Sequence, residues 1–393
     1  MEGCKIHEWE TIIYEGKVKL TIPNPELFKR PDGIYEPAWA PVFYNPRMTF
    51  SRTLGVVVAN TYFNNKEFFF VEPLAGIGVR SIRYVVEAYG TGIINDIDPI
   101  AYNYIIRNIK LNNISEAATA SNSEANSLLN SIRSEGIVID LIDIDPYGTP
   151  IPFIDSSSYA IAKGGLLAVT ATDTGPLNCS HPQVCYRRYN SLCYKTDFSK
   201  EMGLRILIGS IIRCAASHDV GLEPIISYYH GYYYRVYFRA TRSAKSADKV
   251  LRNIGYIIYN PNTLKREYIR IEDIKEVPVE EGVLCGPLWI GPLCDINFLL
   301  KINKTLAKRY SVYIEDIEPF INMLINECGI NKPYYRYDKL FGMLKKNIPP
   351  KRLFINELQK QGFRACETHF DPRGIKTDAG IEDLINIANS ITR

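Results

Sequence analysis

The chain has 393 residues, 46% hydrophobic and 23% charged, with a net charge of +3; this is the balance of a folded globular protein and excludes a disordered one. No run approaches the roughly 18 apolar residues of a membrane span, and the polar opening MEGCKIHEWE is not laid out as a signal peptide. Nine scattered cysteines, none in a C-x-x-C pair, argue against a zinc ribbon or redox pair and for reduced thiols in the cytoplasm. So small a net charge does not announce nucleic acid, and a basic face would have to come from local clusters.

Near the start, PVFYNPRM (41–48) is followed by Ser51-Arg52. It reads either as a lid loop or as the segment that brings Arg52 to a ligand carboxylate, and spacing does not choose. Residues 66–172 then alternate. KEFFFVEPLAG (66–76) is a short apolar run ending in Pro and Gly, and Gly78–Tyr89 has helical spacing. TGIINDID (91–98) reads as a second strand, and Pro99–Leu111 as a helix with proline at its first position. A polar stretch before Ser123 is the candidate third strand, GIVIDLIDID (136–145) a buried fourth, Ile151–Ala162 a helix and GGLLAVTATD (164–173) a fifth strand. Such alternation predicts a parallel sheet covered on both faces.

A helix over Phe198–Ser217 precedes GLEPIISYYH (221–230) and GYYYRVYFRAT (231–241), two strands joined by a tight turn. A parallel sheet closed by an antiparallel hairpin is the layout of a class I (Rossmann-like) methyltransferase domain. The small, polar, basic segment RSAKSADK (242–249) is the expected domain boundary, giving domains 1–242 and 243–393. Beyond it a strand pair and helices over Asp295–Lys304, Ile314–Cys328, Tyr337–Lys346 and Lys351–Gln361 predict a separate α/β domain.

Two stretches carry chemistry. Glu72-Pro73-Leu74-Ala75-Gly76-Ile77-Gly78 runs from a strand end through a glycine loop into a helix, and glycine lets backbone approach a ligand closely. Asp96 and Asp98 end the next strand, where an acid can accept both ribose hydroxyls of an adenosine. That geometry serves NAD or S-adenosylmethionine equally, although Ser81 stands where a dinucleotide fingerprint has its last glycine. Asp145-Pro146-Tyr147-Gly148 follows the fourth strand. It reads as a turn, or as the acid, proline and aromatic residue that hold an exocyclic amine, with Asp143 one pleat deeper on the same side and Asp140 secondary.

With these residues, EGKVKLTIP (15–23), PVFYNPRM, DIDPYGTPIPFID (143–155), TATDTGPL (170–177), CYRRY (185–189), GPLWIGPL (286–293) and HFDPRGIKTDA (369–379) run in order through nearly the whole chain. It resembles the archaeal and eukaryotic tRNA guanine-26 N2-dimethyltransferase family. The resemblance implies transfer of one or two methyl groups from S-adenosylmethionine to N2 of guanine 26 in tRNA. It implies Asp145 as catalytic acid with Pro146 and Tyr147 beside it. It implies a donor site at Arg52, Glu72, Ala75, Gly76, Gly78, Arg80, Asp96, Ile97, Glu124 and Ala125, and a C-terminal domain that binds tRNA. Two departures matter. The family's Asn-Arg-Asp reads Ser51-Arg52-Thr53, and the paired cysteines many members carry are replaced around Tyr259–Asn262, with Cys285 alone. No structural zinc is expected, nor any other metal.

A monomer that binds tRNA, and neither DNA nor membrane, is the expectation. Candidate phosphate contacts are Arg187-Arg188, Arg235/Arg239/Arg242, Lys345-Lys346, Lys351-Arg352, and Arg373 with Lys376. Of the tyrosines around Arg235, alternation sends one face to the core, so only part of that set can reach RNA. His181 and His369 read as structural or surface residues, Cys179 and Cys185 as packing. The rival readings are another amino-group methyltransferase (adenine N6 or protein amide), a non-catalytic tRNA-binding relative, and an NAD enzyme.

Overall fold

The computed structural model describes residues 7–274 and 282–391. A hairpin of β1 (Glu10–Glu15) and β2 (Val18–Pro23) precedes α1 (Thr49–Tyr62). Then come β3 (Phe68–Glu72), α2 (Val79–Ala88), β4 (Gly90–Asn95), α3 (Pro99–Leu111), β5 (Ala118–Ser121), α4 (Ala125–Ser134), β6 (Ile139–Ile144), α5 (Ile151–Ala160) and β7 (Ile161–Ala171). Helices α6 (Thr174–Leu177), α7 (Pro182–Tyr189) and α8 (Ser199–Ala216) lead to β8 (Val220–His230) and β9 (Tyr233–Arg242). The remainder runs α9 (Ala244–Leu251), β10 (Ile254–Tyr259), β11 (Arg266–Arg270), β12 (Val283–Trp289), α10 (Ile296–Arg309) and α11 (Ile314–Glu327). It ends with β13 (Tyr335–Arg336), α12 (Tyr337–Met343), α13 (Lys351–Lys360), β14 (Ala365–Glu367), β15 (Gly374–Thr377) and α14 (Ile381–Ile391).

The largest sheet has the strand order β5-β4-β3-β6-β7-β9-β8. The pairs β5–β4, β4–β3, β3–β6 and β6–β7 are parallel and β8–β9 is antiparallel, which is the predicted α/β arrangement with a terminal hairpin. Strands β3 and β6 are almost wholly buried, as parallel strands under helices must be. The chain winds outward from β3 through β4 to β5, then restarts at β6. The topological switch point therefore lies between β3 and β6, where a ligand crevice forms at the strand ends. Helix α3 has the predicted bounds because Asp98 caps it, accepting from the Ile100 N–H, and Pro99 takes the first position.

Packing divides the chain into two compact units that interleave in sequence. The first is Met1–Pro146, Asp155–Val169 and Lys301–Glu318; the second is Tyr147–Ile154, Thr170–Leu300 and Pro319–Arg393. In the first, the β1–β2 hairpin is pinned to α3 by Asn108, whose amide meets the N–H and carbonyl of Thr21 at 2.8 and 3.2 Å. The late segment joins the same unit through Tyr310, whose hydroxyl donates to the Glu87 carbonyl at 2.7 Å. The second unit contains the sheets β11-β10-β12 and β13-β15-β14.

The segment 242–249, small, polar and basic in sequence, is mostly helix. Ser243 caps α9 by accepting from the Ser246 N–H, and Ala247 and Val250 are buried. Alternation sends one face of β9 to the core; in the structure both faces are covered. Tyr233, Tyr234, Val236, Tyr237 and Phe238 are all fully buried, because the strand is covered on both faces.

Candidate active site

The ends of β3 and β6 bring three carboxylates to one cation. Arg80, in the first turn of α2, bonds the Asp145 carboxylate through a terminal nitrogen. Its Nε lies 3.4 Å from Glu72 Oε1 and 3.7 Å from Asp143 Oδ2. Asp143 and Asp145 share a side of β6, as alternation requires. Glu72, Arg80 and Asp143 are buried, whereas the Asp145 side chain keeps 19% of its surface. Asp143 also accepts from the Tyr84 hydroxyl at 2.7 Å. Glu72 accepts from the Ser81 N–H and hydroxyl at 3.2 and 2.5 Å, tying β3 to the start of α2. Burial pushes the Glu72 carboxyl up, and Asp143 and Asp145 add to this against the pull of Arg80, to about 8.

The glycine loop after β3 is held open by backbone conformation. Gly76 and Gly78 have φ of 55° and 81°, the left-handed region, and Gly78 leads into α2. The Gly76 N–H donates to Asp96 Oδ2 at 2.8 Å and the Asp98 N–H to Asp96 Oδ1 at 3.0 Å, so the carboxylate is oriented by backbone. Burial raises its pKa. Ile97, next in sequence, is 61% exposed, an apolar surface beside a polar acid. Ala75 sits in the same loop, its N–H on the Asn95 carbonyl at 2.9 Å. Glu124 caps α4; the Asn126 and Ser127 N–H groups hold its carboxyl below the usual range, and Ala125 is buried behind it.

Two residues of this site escaped the sequence reading. The Asn95 amide donates to the carbonyls of Pro73 and Ser123, both at 2.9 Å, and accepts from the Ser123 N–H at 3.0 Å. Asn122 donates to the carbonyls of Asp96 and Ile97 at 2.8 and 2.9 Å. An amide at a strand end followed by an acid was the available signal.

Arg52 was expected at a ligand carboxylate. Here it is buried, with Nε and a terminal nitrogen on Glu15 at 2.6 and 2.5 Å and both terminal nitrogens 3.2 Å from the Asn45 carbonyl. Glu15 also receives Arg83 at 3.2 Å. Burial would raise the Glu15 carboxyl, but Arg52 and Arg83 hold it below the usual range. Arg52 thus anchors α1 and the 41–52 segment to β1.

Pro146 is buried, and Tyr147, first residue of the second unit, is 84% exposed. In that unit Gly148 and Thr172 are tied by reciprocal bonds of 2.8 and 2.9 Å, so the DPYG and TATD stretches meet. Among the described residues no group of three His, Cys, Asp or Glu is placed to hold a metal ion. Residues 275–281, within the region expected to lack zinc, lie outside the described residues.

The family described as N2,N2-dimethylguanosine tRNA methyltransferase matches residues 16–389. The chain belongs to this family. Proteins named tRNA (guanine(26)-N(2))-dimethyltransferase from Saccharolobus islandicus and Pyrobaculum islandicum are each 37% identical, over 96% and 95% of this chain and 98% and 97% of theirs. Trm1 from Pyrococcus horikoshii, solved in complex with S-adenosyl-L-methionine, superposes with a TM-score of 0.82 at 30% identity, covering 96% of this chain and 99% of that one.

For a tRNA methyltransferase the fate of the candidate cations matters. Arg235 is fully buried, one terminal nitrogen donating to Thr170 Oγ1 at 2.7 Å, and Lys376 is 1% exposed with its amine on Glu201. Both are withdrawn as RNA contacts, because the strands that carry them are covered. Arg239 pairs with Asp295 at 3.4 Å, Arg188 with Asp173 at 3.1 Å and Arg373 with Asp338 at 3.4 Å. Arg187, Lys345 and Arg352 are exposed. Cys179 and Cys185 are buried, as expected of packing residues, and His181 is exposed. The His369 side chain is buried against Glu327.

Proposed function

We infer that this protein transfers methyl groups from S-adenosylmethionine to N2 of guanine 26 in tRNA. The observation that carries the reading is Asp145, a partly exposed acid at the sheet's switch point, in a chain alike end to end to guanine-26 dimethyltransferases. The glycine cradle fits the donor: a Cβ at Gly76 would crowd the Phe43 carbonyl at 3.2 Å, and Asp96 is a carboxylate held at the cradle's rim by two N–H groups. Asp96 would hold the ribose hydroxyls, Ile97 would cover the adenine, and backbone at Glu124 and Ala125 would meet its edge. Ala75, Gly76 and Gly78 would line the approach, with Glu72, Arg80 and Arg52 fixing the loop and helices around it. When bound, S-adenosylmethionine supplies an electrophilic methyl group on a sulfonium.

The rest falls to the chain. An exocyclic guanine amine is a poor nucleophile because its lone pair is delocalised into the ring. Asp145, with the Pro146 carbonyl, accepts the amine hydrogens and favours a pyramidal nitrogen whose lone pair is available. Asp145 then takes the proton that N2 sheds once its lone pair has entered the new N–C bond. Arg80 holds the far side of the same carboxylate, so the acceptor does not swing away. Tyr147 offers its exposed ring to a base that has left its stack.

Residues 1–242 carry the transfer chemistry and 243–393 contribute the platform for tRNA. The protein works as a cytoplasmic monomer and does not act on DNA. No described helix is long and apolar enough to cross a membrane. The test is methyl transfer to an unmodified tRNA transcript, read by nucleoside mass spectrometry beside a transcript carrying adenine at position 26. Dimethylguanosine from the first and no product from the second is expected; transfer to both, or to neither, overturns the assignment.

A further inference from the structure

The second unit contains two adjoining cavities that methyl transfer does not use. The inner one, about 120 Å³, has Ser227, Glu327, His369 and Lys376 in its wall. The outer one, about 630 Å³, is walled by Asn326, Arg352, Asn356, Gln359, Phe363 and Arg364. Cys328 and Ile330 belong to both walls, so the chambers meet at the turn after α11.

In the inner chamber two polar atoms, Ser227 Oγ and His369 Nε2, are buried without a hydrogen-bond partner among the described residues. The His369 side chain is 3% exposed and its Nδ1 lies 2.9 Å from Glu327 Oε1, which leaves the other ring nitrogen unanswered. Buried polar atoms without partners are costly and call for water or the polar edge of a ligand. The space is several times what one water needs, and these polar groups stand in a wall that is otherwise mostly apolar.

The outer chamber has a different chemistry. Arg352, Asn356 and Gln359 lie four and three positions apart on α13, so they share one face of the helix. Arg352 and Asn356 are exposed. Arg364 is held by Asp378 at 2.9 Å, and the one acid in this wall, Glu367, is met by Lys351 at 2.9 Å. Guanidinium groups thus stand in the open chamber with amides and the Phe363 ring, while the His369 ring and the Ser227 hydroxyl belong to the wall of the smaller one. That is the order of a nucleotide that enters base first, its phosphate left at the cations.

We propose that this double chamber receives one unpaired nucleotide of the tRNA substrate, other than the guanine that is methylated. The proposal rests on tRNA being the substrate. It gives a purpose to the HFDPRGIKTDA stretch, which the methyl-transfer centre does not use: His369 and Lys376 both lie in the inner wall.

The test compares the full-length protein with Arg352→Ala, Asn356→Ala and Ser227→Ala. Each is assayed for methylation of a tRNA transcript and for binding of the four nucleoside 5′-monophosphates by equilibrium dialysis. Ser227→Ala removes one unpartnered oxygen at nearly constant volume, and a thermal midpoint for each variant confirms that it is folded. The expected result is a rise of about 5- to 10-fold in KM for tRNA in each variant, with the loss on KM rather than kcat and S-adenosylmethionine affinity retained. At least one monophosphate binds the wild type saturably, competes with tRNA and binds each variant less well. An unchanged KM in all three variants of a protein that methylates tRNA means the chambers hold only water, and overturns the proposal. A wild type that methylates no tRNA overturns the function instead, and absence of monophosphate binding then overturns the chamber on its own.

Discussion

Two buried charge clusters use similar side chains to opposite ends. In the second unit the fully buried Glu201 accepts from Arg205 at 2.8 and 3.1 Å, from Lys376 at 2.5 Å and from the Tyr334 N–H at 3.0 Å. Arg205 gives its remaining donors to the carbonyls of Trp289, Gly291 and Asn331. Burial would raise Glu201, but Lys376 and Arg205 keep its carboxyl below the usual range. In the first unit the ratio is inverted: Glu72, Asp143 and Asp145 share Arg80. A cluster whose carboxylate is saturated has nothing left to offer and serves as architecture. A cluster short of cations, one member of which reaches a strand end, keeps an acceptor for a substrate. Burial of charge does not mark a site; unmet demand does.

The contrast can be broken most sharply at Asp145. Asp145→Ala should lower kcat by about 10²- to 10⁴-fold, measured as labelled methyl incorporated into tRNA, while the thermal midpoint stays near wild type. Retained turnover would make the first cluster architecture as well. Glu201→Gln should do the opposite. It leaves two buried cations without their counter-ion and should cost about 3–5 kcal/mol in urea denaturation, while donor affinity of the folded protein holds. A variant as stable as wild type would show that the saturated cluster stabilises nothing.

Smaller effects sharpen the picture. Asp96→Ala should weaken S-adenosylmethionine binding about 10- to 100-fold by calorimetry, the loss of hydrogen bonds to a charged acceptor. Unchanged affinity would move the ribose contact elsewhere. Glu72 makes a pH prediction. Its folded pKa, about 8, lies above the ordinary 4.5, so between these values the folded protein keeps a proton that the unfolded chain has lost. That contribution to stability is present at low pH and declines as pH rises through this window. Glu72→Gln should flatten the difference in stability between pH 5 and pH 8; an unaltered difference would assign it to another group.

What could be read from the sequence was what local pattern encodes. Pro99–Leu111 carries its own cap and first-position proline, and its helix has the expected bounds. The buried strands announced themselves as apolar runs, and Asp145 stood out as an acid after one of them. Other features depend on partners far along the chain. Nothing near Arg52 points to Glu15, 37 residues away, and nothing in YYYRVYF reveals that both faces of β9 are covered. The α9 segment did not read as a helix because its small polar residues hide two buried positions, Ala247 and Val250, three apart. Helix α1 went unpredicted although eleven of its residues, Ser51 to Thr61, are buried, since an element enclosed on all sides shows no amphipathic period.

Asn95 has a consequence for the energetics of donor binding. One amide holds the loop after β3 and the loop after β5, and the backbone carbonyl of the same residue holds Ala75. Both walls of the cradle are set before any ligand arrives. The entropy of ordering two loops is therefore lost during folding rather than during each encounter. An enzyme that must load and discharge its donor twice for one dimethylated base is spared that cost on every cycle.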